Sequence, residues 1–149
     1  MPTITTNALL LSILNDAIEW KDVATTDVAG AYLKAYLNYL VLMKFTGKFG
    51  QHALQLNPEQ EKFVVTKNRV KVLYIHLIKA IYRCVKAAFL WYEMLSIMLK
   101  NMGFVLNPYN PCIDNCMFEV KKCTTVWYVD DNKISHKYPK VVSMIVDHL

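Results

Sequence analysis

The chain has 149 residues, of which 54% are hydrophobic and 19% charged, a balance that excludes a disordered polymer and leaves room for one hydrophobic core. Its 17 basic residues outnumber 12 acidic ones, and the net charge of +5 suits a phosphate-rich partner without requiring one. Residues 6–20 set Leu10, Ile13, Leu14, Ala17 and Ile18 at helical spacing behind the cap candidates Thr6 and Asn7, predicting an amphipathic helix whose apolar face packs on a sheet. "VATTDVAG" (23–30) reads as a β-branched strand stopped by glycine, "AYLKAYLNYL" as a short helical or turn-rich segment, and "VLMKF" (41–45) as another strand. "TGKFGQHALQLNPEQEKF" is expected to be a loop, because it holds Gly47, Gly50 and Pro58 in a polar setting.

Val64 and Val65 and the run 70–77 flank "TKNR" and predict a hairpin turning at Lys67 and Asn68. The longest helix is expected over 78–102, with Ile81, Val85, Ala88, Trp91, Tyr92, Leu95, Met98 and Leu99 on its core face and Gly103 at its end. "NPYNPC" reads as a loop because Pro108 and Pro111 cannot donate to a ladder. "CMFEV" and "CTTVWYV" then make a hairpin around Lys121 and Lys122, a second hairpin turns at the paired aspartates into "NKIS", and Pro139 opens a closing helix. No repeat or linker divides the chain, so residues 1–149 are expected to form one unit.

Cys84, Cys112, Cys116 and Cys123 contain no CxxC pair and the four histidines lie far apart, which predicts reduced core thiols and no zinc site. The N-terminus lacks a basic n-region, and no window offers about 18 uninterrupted apolar residues. An intracellular chain without a membrane span is expected.

Two carboxylate sites carry the chemistry. Asp130 and Asp131 stand in "WYVDDNKIS", where a tight hairpin turn ordinarily wants glycine or asparagine. A bare Asp-Asp pair is an ordinary solvated turn as readily as a functional one, but a turn held against its local preference is a mark of function. Asp27 ends a strand just before Gly30, where it reads either as a capping or turn aspartate or as a third member of the same cluster. Three carboxylates brought together suit hard divalent cations and phosphoryl transfer. The amides of Gly30, Ala31 and Tyr32, opening the next helix, could cradle a phosphate.

The stretches "DVAGAYL", "YRCVKAAFLWY" and "WYVDDNKIS", in this order and spacing, resemble the palm of copia-type retrotransposon reverse transcriptases over nearly the whole chain. The resemblance implies an α+β fold, a polymerase palm-like antiparallel sheet backed by helices, with the fingers incomplete and the thumb absent. It implies RNA-directed DNA polymerase activity, in which a primer 3′-hydroxyl attacks the α-phosphate of a deoxynucleotide. Asp27, Asp130 and Asp131 would be catalytic and, with the Val28 backbone carbonyl, would hold two Mg2+ ions, Mn2+ being the substitute. Gly30, Ala31, Tyr32 and Lys86 would bind the nucleotide, the Tyr32 ring excluding a 2′-hydroxyl by clash. Tyr128 and Arg83 would lie by primer and template, with Trp127 facing the core if Tyr128 faces the cleft, and Trp91 and Tyr92 serving packing. The implied partners are an RNA or DNA template with a DNA primer, deoxynucleotides and further polyprotein segments, in a cytoplasmic particle or the nucleus and with no membrane.

Two positions depart from the family pattern. Arg83 stands where a glycine follows the tyrosine, and Lys86 stands where a glutamine is usual. Arg83 fills space a glycine leaves for close backbone approach, and Lys86 can only donate where an amide also accepts. A degenerate remnant that only binds nucleic acid, or has no function, is therefore the alternative expectation.

Overall fold

The β-branched and aromatic residues around the paired aspartates form the centre of an antiparallel sheet. In the computed structural model, which describes residues 2–149, the order is α1 (Thr6–Ile18), β1 (Asp22–Asp27), α2 (Ala31–Lys34), β2 (Leu42–Thr46), α3 (Gly47–Leu56), a 3-10 stretch (Pro58–Phe63), β3 (Val64–Lys67) and β4 (Val70–His76). There follow α4 (Ala87–Asn101), β5 (Val105–Asn107), β6 (Asn110–Phe118), β7 (Lys121–Tyr128), β8 (Asp131–His136) and α5 (Pro139–His148). The larger sheet runs β1-β8-β7-β6-β5 and the smaller β2-β4-β3, every pairing antiparallel. The fold is mixed α+β. No helix among the described residues is long and apolar enough to cross a membrane.

Side-chain alternation divides the larger sheet into two faces. Trp127, Ile134 and Cys123 point to one, where α4 supplies Trp91, Leu95 and Leu99 and α5 supplies Val142 and Ile145 to a single core. That face also buries Asp114, whose carboxylate accepts the Trp127 indole N–H at 3.0 Å. Burial pushes the Asp114 carboxyl above its ordinary value of 3.8, and the Trp127 bond and the Lys100 ammonium oppose that push. A carboxyl raised in the fold stabilises it only while protonated. The contribution is complete below 3.8 and disappears as pH rises through the folded-state value. Asp114→Asn keeps an acceptor for Trp127, so the urea midpoint at neutral pH should rise and its increase toward acid should flatten. A midpoint lowered at pH 7 would contradict this.

The opposite face carries Thr25, Asp27, Val126, Tyr128, Asp131 and Lys133, and α1 lies against it. Here the expected packing is reversed. The helix turns Ser12 and Asp16 inward and leaves Leu10, Leu11, Ile13, Leu14 and Ile18 exposed. Asp16 makes a buried ion pair with Lys133 and a second at 3.8 Å with Lys21, which also reaches Glu19 at 3.1 Å. Charge rather than apolar contact anchors this helix.

Other differences from the sequence reading have local causes. The expected loop after β2 is α3, because Gly50, Ala53 and Leu54 recur at helical spacing toward the small sheet, and Gly50 packs close against Phe45. The long helix begins at Ala87, not at residue 78. Backbone bonds from Leu37 to Ile78 (2.9 Å) and from Ala80 to Ala35 (2.9 Å) hold the preceding segment open, and Arg83 has φ +72°. Pro111 lies within β6, not in a loop, since it falls at the break in β5–β6 register where no ladder donor is needed. The hairpins turn one or two residues away from the expected positions, at Asn68–Arg69 and Glu119–Val120, and all four residues have positive φ. Pro139 opens α5 as expected.

Candidate functional site

Strand β1 ends in Asp27 and strand β8 begins with Asp131, and the ladder makes these two residues direct partners. Both are exposed, on one face with Tyr128, itself the partner of Asp131 across the β7–β8 turn. Together with Thr25, Lys133 and the start of α1 they line an open cavity of about 610 Å³. Like charges directly opposite each other on a sheet oppose pairing. Among the described residues none of Asp27, Asp130 and Asp131 lies within 4 Å of a lysine, arginine or histidine nitrogen. These are oxygen donors without a protein counter-charge, a donor set whose chemistry suits a hard divalent cation.

Asp130, in the turn beside this facing pair, accepts the Tyr82 hydroxyl on Oδ2 at 3.1 Å. Among the described residues no group of three or more His, Cys, Asp or Glu side chains is gathered closely enough to hold a metal ion. The Tyr82 bond, first, pushes that phenol above its ordinary value, while burial, then Asp130 and Tyr128, pushes Tyr32 up. The two tyrosine rings meet edge to face at 4.5 Å.

The β7–β8 turn is locally unfavourable. Only Val129 and Asp130 separate the paired residues Tyr128 and Asp131, and Val129 has φ +59° while Asp130 keeps a negative φ. Glycine is the ordinary residue at that first turn position, and a β-branched side chain there strains the backbone by roughly 1–3 kcal/mol. The turn is held from outside. The Trp91 indole N–H donates to the Val129 carbonyl at 2.7 Å, and the Val28 amide and the Asn132 side chain both donate to the Asp130 carbonyl at 3.0 Å. Val129→Gly should accordingly stabilise the fold by about 1 kcal/mol. A thermal melt raised by about 2–4 °C would show it, and a lowered melt would locate the strain elsewhere.

The remaining predicted residues divide. Tyr128 faces the cavity and Trp127 the core, where Trp127 packs against Tyr92 with ring centroids 5.1 Å apart. Tyr32 lies beside Tyr82. Gly30 precedes the single turn of α2 with φ +64°, but the Ala31 amide is not free for a phosphate, since it donates to the Val28 carbonyl at 3.0 Å. The same bond occupies one lone pair of the carbonyl expected to face a cation. Lys86 lies over the Tyr39 ring at 5.0 Å, with no carboxylate among the described residues within ion-pair distance, and Arg83 is exposed. Tyr82 and the hydrogen-bonding role of Trp91 escaped the sequence reading. Each bonds a residue remote in sequence, and no spacing pattern signals such a bond.

No protein-family model, no curated protein and no solved structure matches the chain.

Proposed function

We propose that this chain is the palm of an RNA-directed DNA polymerase of the copia-type retrotransposon kind, acting on a DNA primer, an RNA or DNA template and deoxynucleotides. The observation that carries the reading is Asp27 facing Asp131 across the ladder, next to Asp130 in a strained turn and, among the described residues, with no cation paired to any of them. A second point supports it. Arg83 takes a left-handed φ of +72°, a conformation that favours glycine, at the position where the family pattern has glycine.

Two Mg2+ ions held by Asp27, Asp130, Asp131 and the Val28 carbonyl would supply charge neutralisation at the reacting phosphate. In this reading the Tyr32 ring excludes a ribose 2′-hydroxyl by clash. Tyr128, on the same sheet face as Asp27 and Asp131, lies beside the primer end. Tyr82 restrains the Asp130 carboxylate through its hydroxyl.

The test is deoxynucleotide incorporation by the purified chain on a primed RNA template, with and without Mg2+, beside Asp130→Asn. Metal-dependent synthesis lost in the variant is the expected result, and synthesis retained by a folded Asp130→Asn protein would sink the assignment.

A second reading, nucleic-acid binding without catalysis, draws on the Tyr82–Asp130 bond and on charge. Between Leu42 and Ala87 the only acidic residues are Glu59 and Glu61, whereas lysine and arginine recur throughout. Salt-sensitive RNA binding, with log affinity falling linearly in log salt and no synthesis at any Mg2+ concentration, would favour it.

A further inference from the structure

We propose that Trp91 is the positioning residue of the carboxylate turn, its buried indole N–H fixing the Val129–Asp130 peptide plane and with it the direction of the Asp130 side chain. The inference rests on the reading of Asp130 as a working carboxylate, but its geometry is independent of that reading.

Two-residue hairpin turns with positive φ at the first central position come in two forms related by rotation of the central peptide. In one the second residue keeps a negative φ, and in the other both residues are positive. Of the three other β-hairpins that turn on two residues, those at Asn68–Arg69 and Glu119–Val120 adopt the doubly positive form, while Pro108–Tyr109 has positive φ at neither residue. The carboxylate turn alone adopts the first form.

The difference has a visible cause. The carbonyl of the central peptide belongs to Val129, and it accepts the Trp91 Nε1–H at 2.7 Å. Trp91 is 1% exposed, packed on α4 among the core residues of the larger sheet. A buried indole N–H without an acceptor is strongly disfavoured. Turning the peptide over would carry the carbonyl away and strand that donor. It would also move Asp130 to positive φ, redirecting its Cβ away from Tyr82. The bonds from Val28 and Asn132 fix the Asp130 carbonyl, on the far side of that residue, and so leave the central peptide to Trp91 alone.

The test needs neither metal nor nucleotide. A crystal structure of Trp91→Phe should show the Val129–Asp130 peptide turned over, or in both orientations. Amide exchange at Asp130 and Asp131 should quicken at least tenfold, while Val126 and Ile134 are unchanged. Should the phenylalanine fail to fold, replacing Trp91 by 3-benzothienylalanine keeps the bicyclic shape and removes only the N–H, with the same result expected. A peptide plane and turn exchange unchanged in a folded variant would overturn the proposal and leave Trp91 a packing residue. Absence of polymerase activity in the unaltered chain, with the turn nonetheless released by the substitution, would sink the polymerase reading and leave the positioning role standing.

Discussion

Lys133→Ala should cost the fold about 3 kcal/mol, a fall in melting midpoint of about 6–12 °C. Lys133 and Asp16 are both buried, and they are the main attachment of α1 to the sheet. Their attraction must offset the desolvation of two charges, so the pair need contribute little net stability while it is intact. Losing one partner is different, because Asp16 then stays buried with only the Lys21 ammonium, 3.8 Å away, to balance it. The effect is therefore expected to be larger than the pair's own worth. Replacing both members by apolar residues, Lys133→Met with Asp16→Leu, should recover most of the loss, and a double-mutant cycle would measure the coupling. A single-variant midpoint within about 2 °C of the unaltered chain would mean that the pair is hydrated and that α1 is held by something else.

Asp27→Asn should have opposite effects on stability and on function. In the polymerase reading, nucleotide incorporation falls on the order of 100-fold or more, since a charged ligand at the reacting centre is lost. The melting midpoint should rise by about 1–2 °C, because a carboxylate directly opposite Asp131 is replaced by a neutral partner of the same shape. A residue retained for the fold would do the reverse. Thermal melts beside single-turnover incorporation separate the two cases, and a destabilised variant with unaltered activity would assign Asp27 a structural role.

Much of the sheet was legible because strand periodicity is a local signal. The runs leading to and from the aspartates, the β3–β4 hairpin and the Pro139 helix start all follow from neighbours in sequence. Turn positions were less legible, since Asn68–Arg69 and Glu119–Val120 hold positive φ without glycine. The burial of α1 was not legible at all. Hydrophobic spacing tells which side of a helix is apolar, not whether the rest of the fold covers it, and the Asp16–Lys133 pair spans 117 positions. At the site, the sequence suggested that Asp27 and the aspartate pair meet, but strand register decided that Asp131, not Asp130, stands opposite Asp27.

Trp20, in the turn just past the end of α1, is 83% exposed, while Trp91 and Trp127 are each 1% exposed. The chain therefore carries two indoles shielded from solvent and one in water at the edge of the helix held by charge. Its fluorescence should separate accordingly, with a red-shifted component quenched by acrylamide and a blue component that is not. Anything that settles on the outer side of α1 would move the first component and spare the second, so light emission alone can follow that helix without a label.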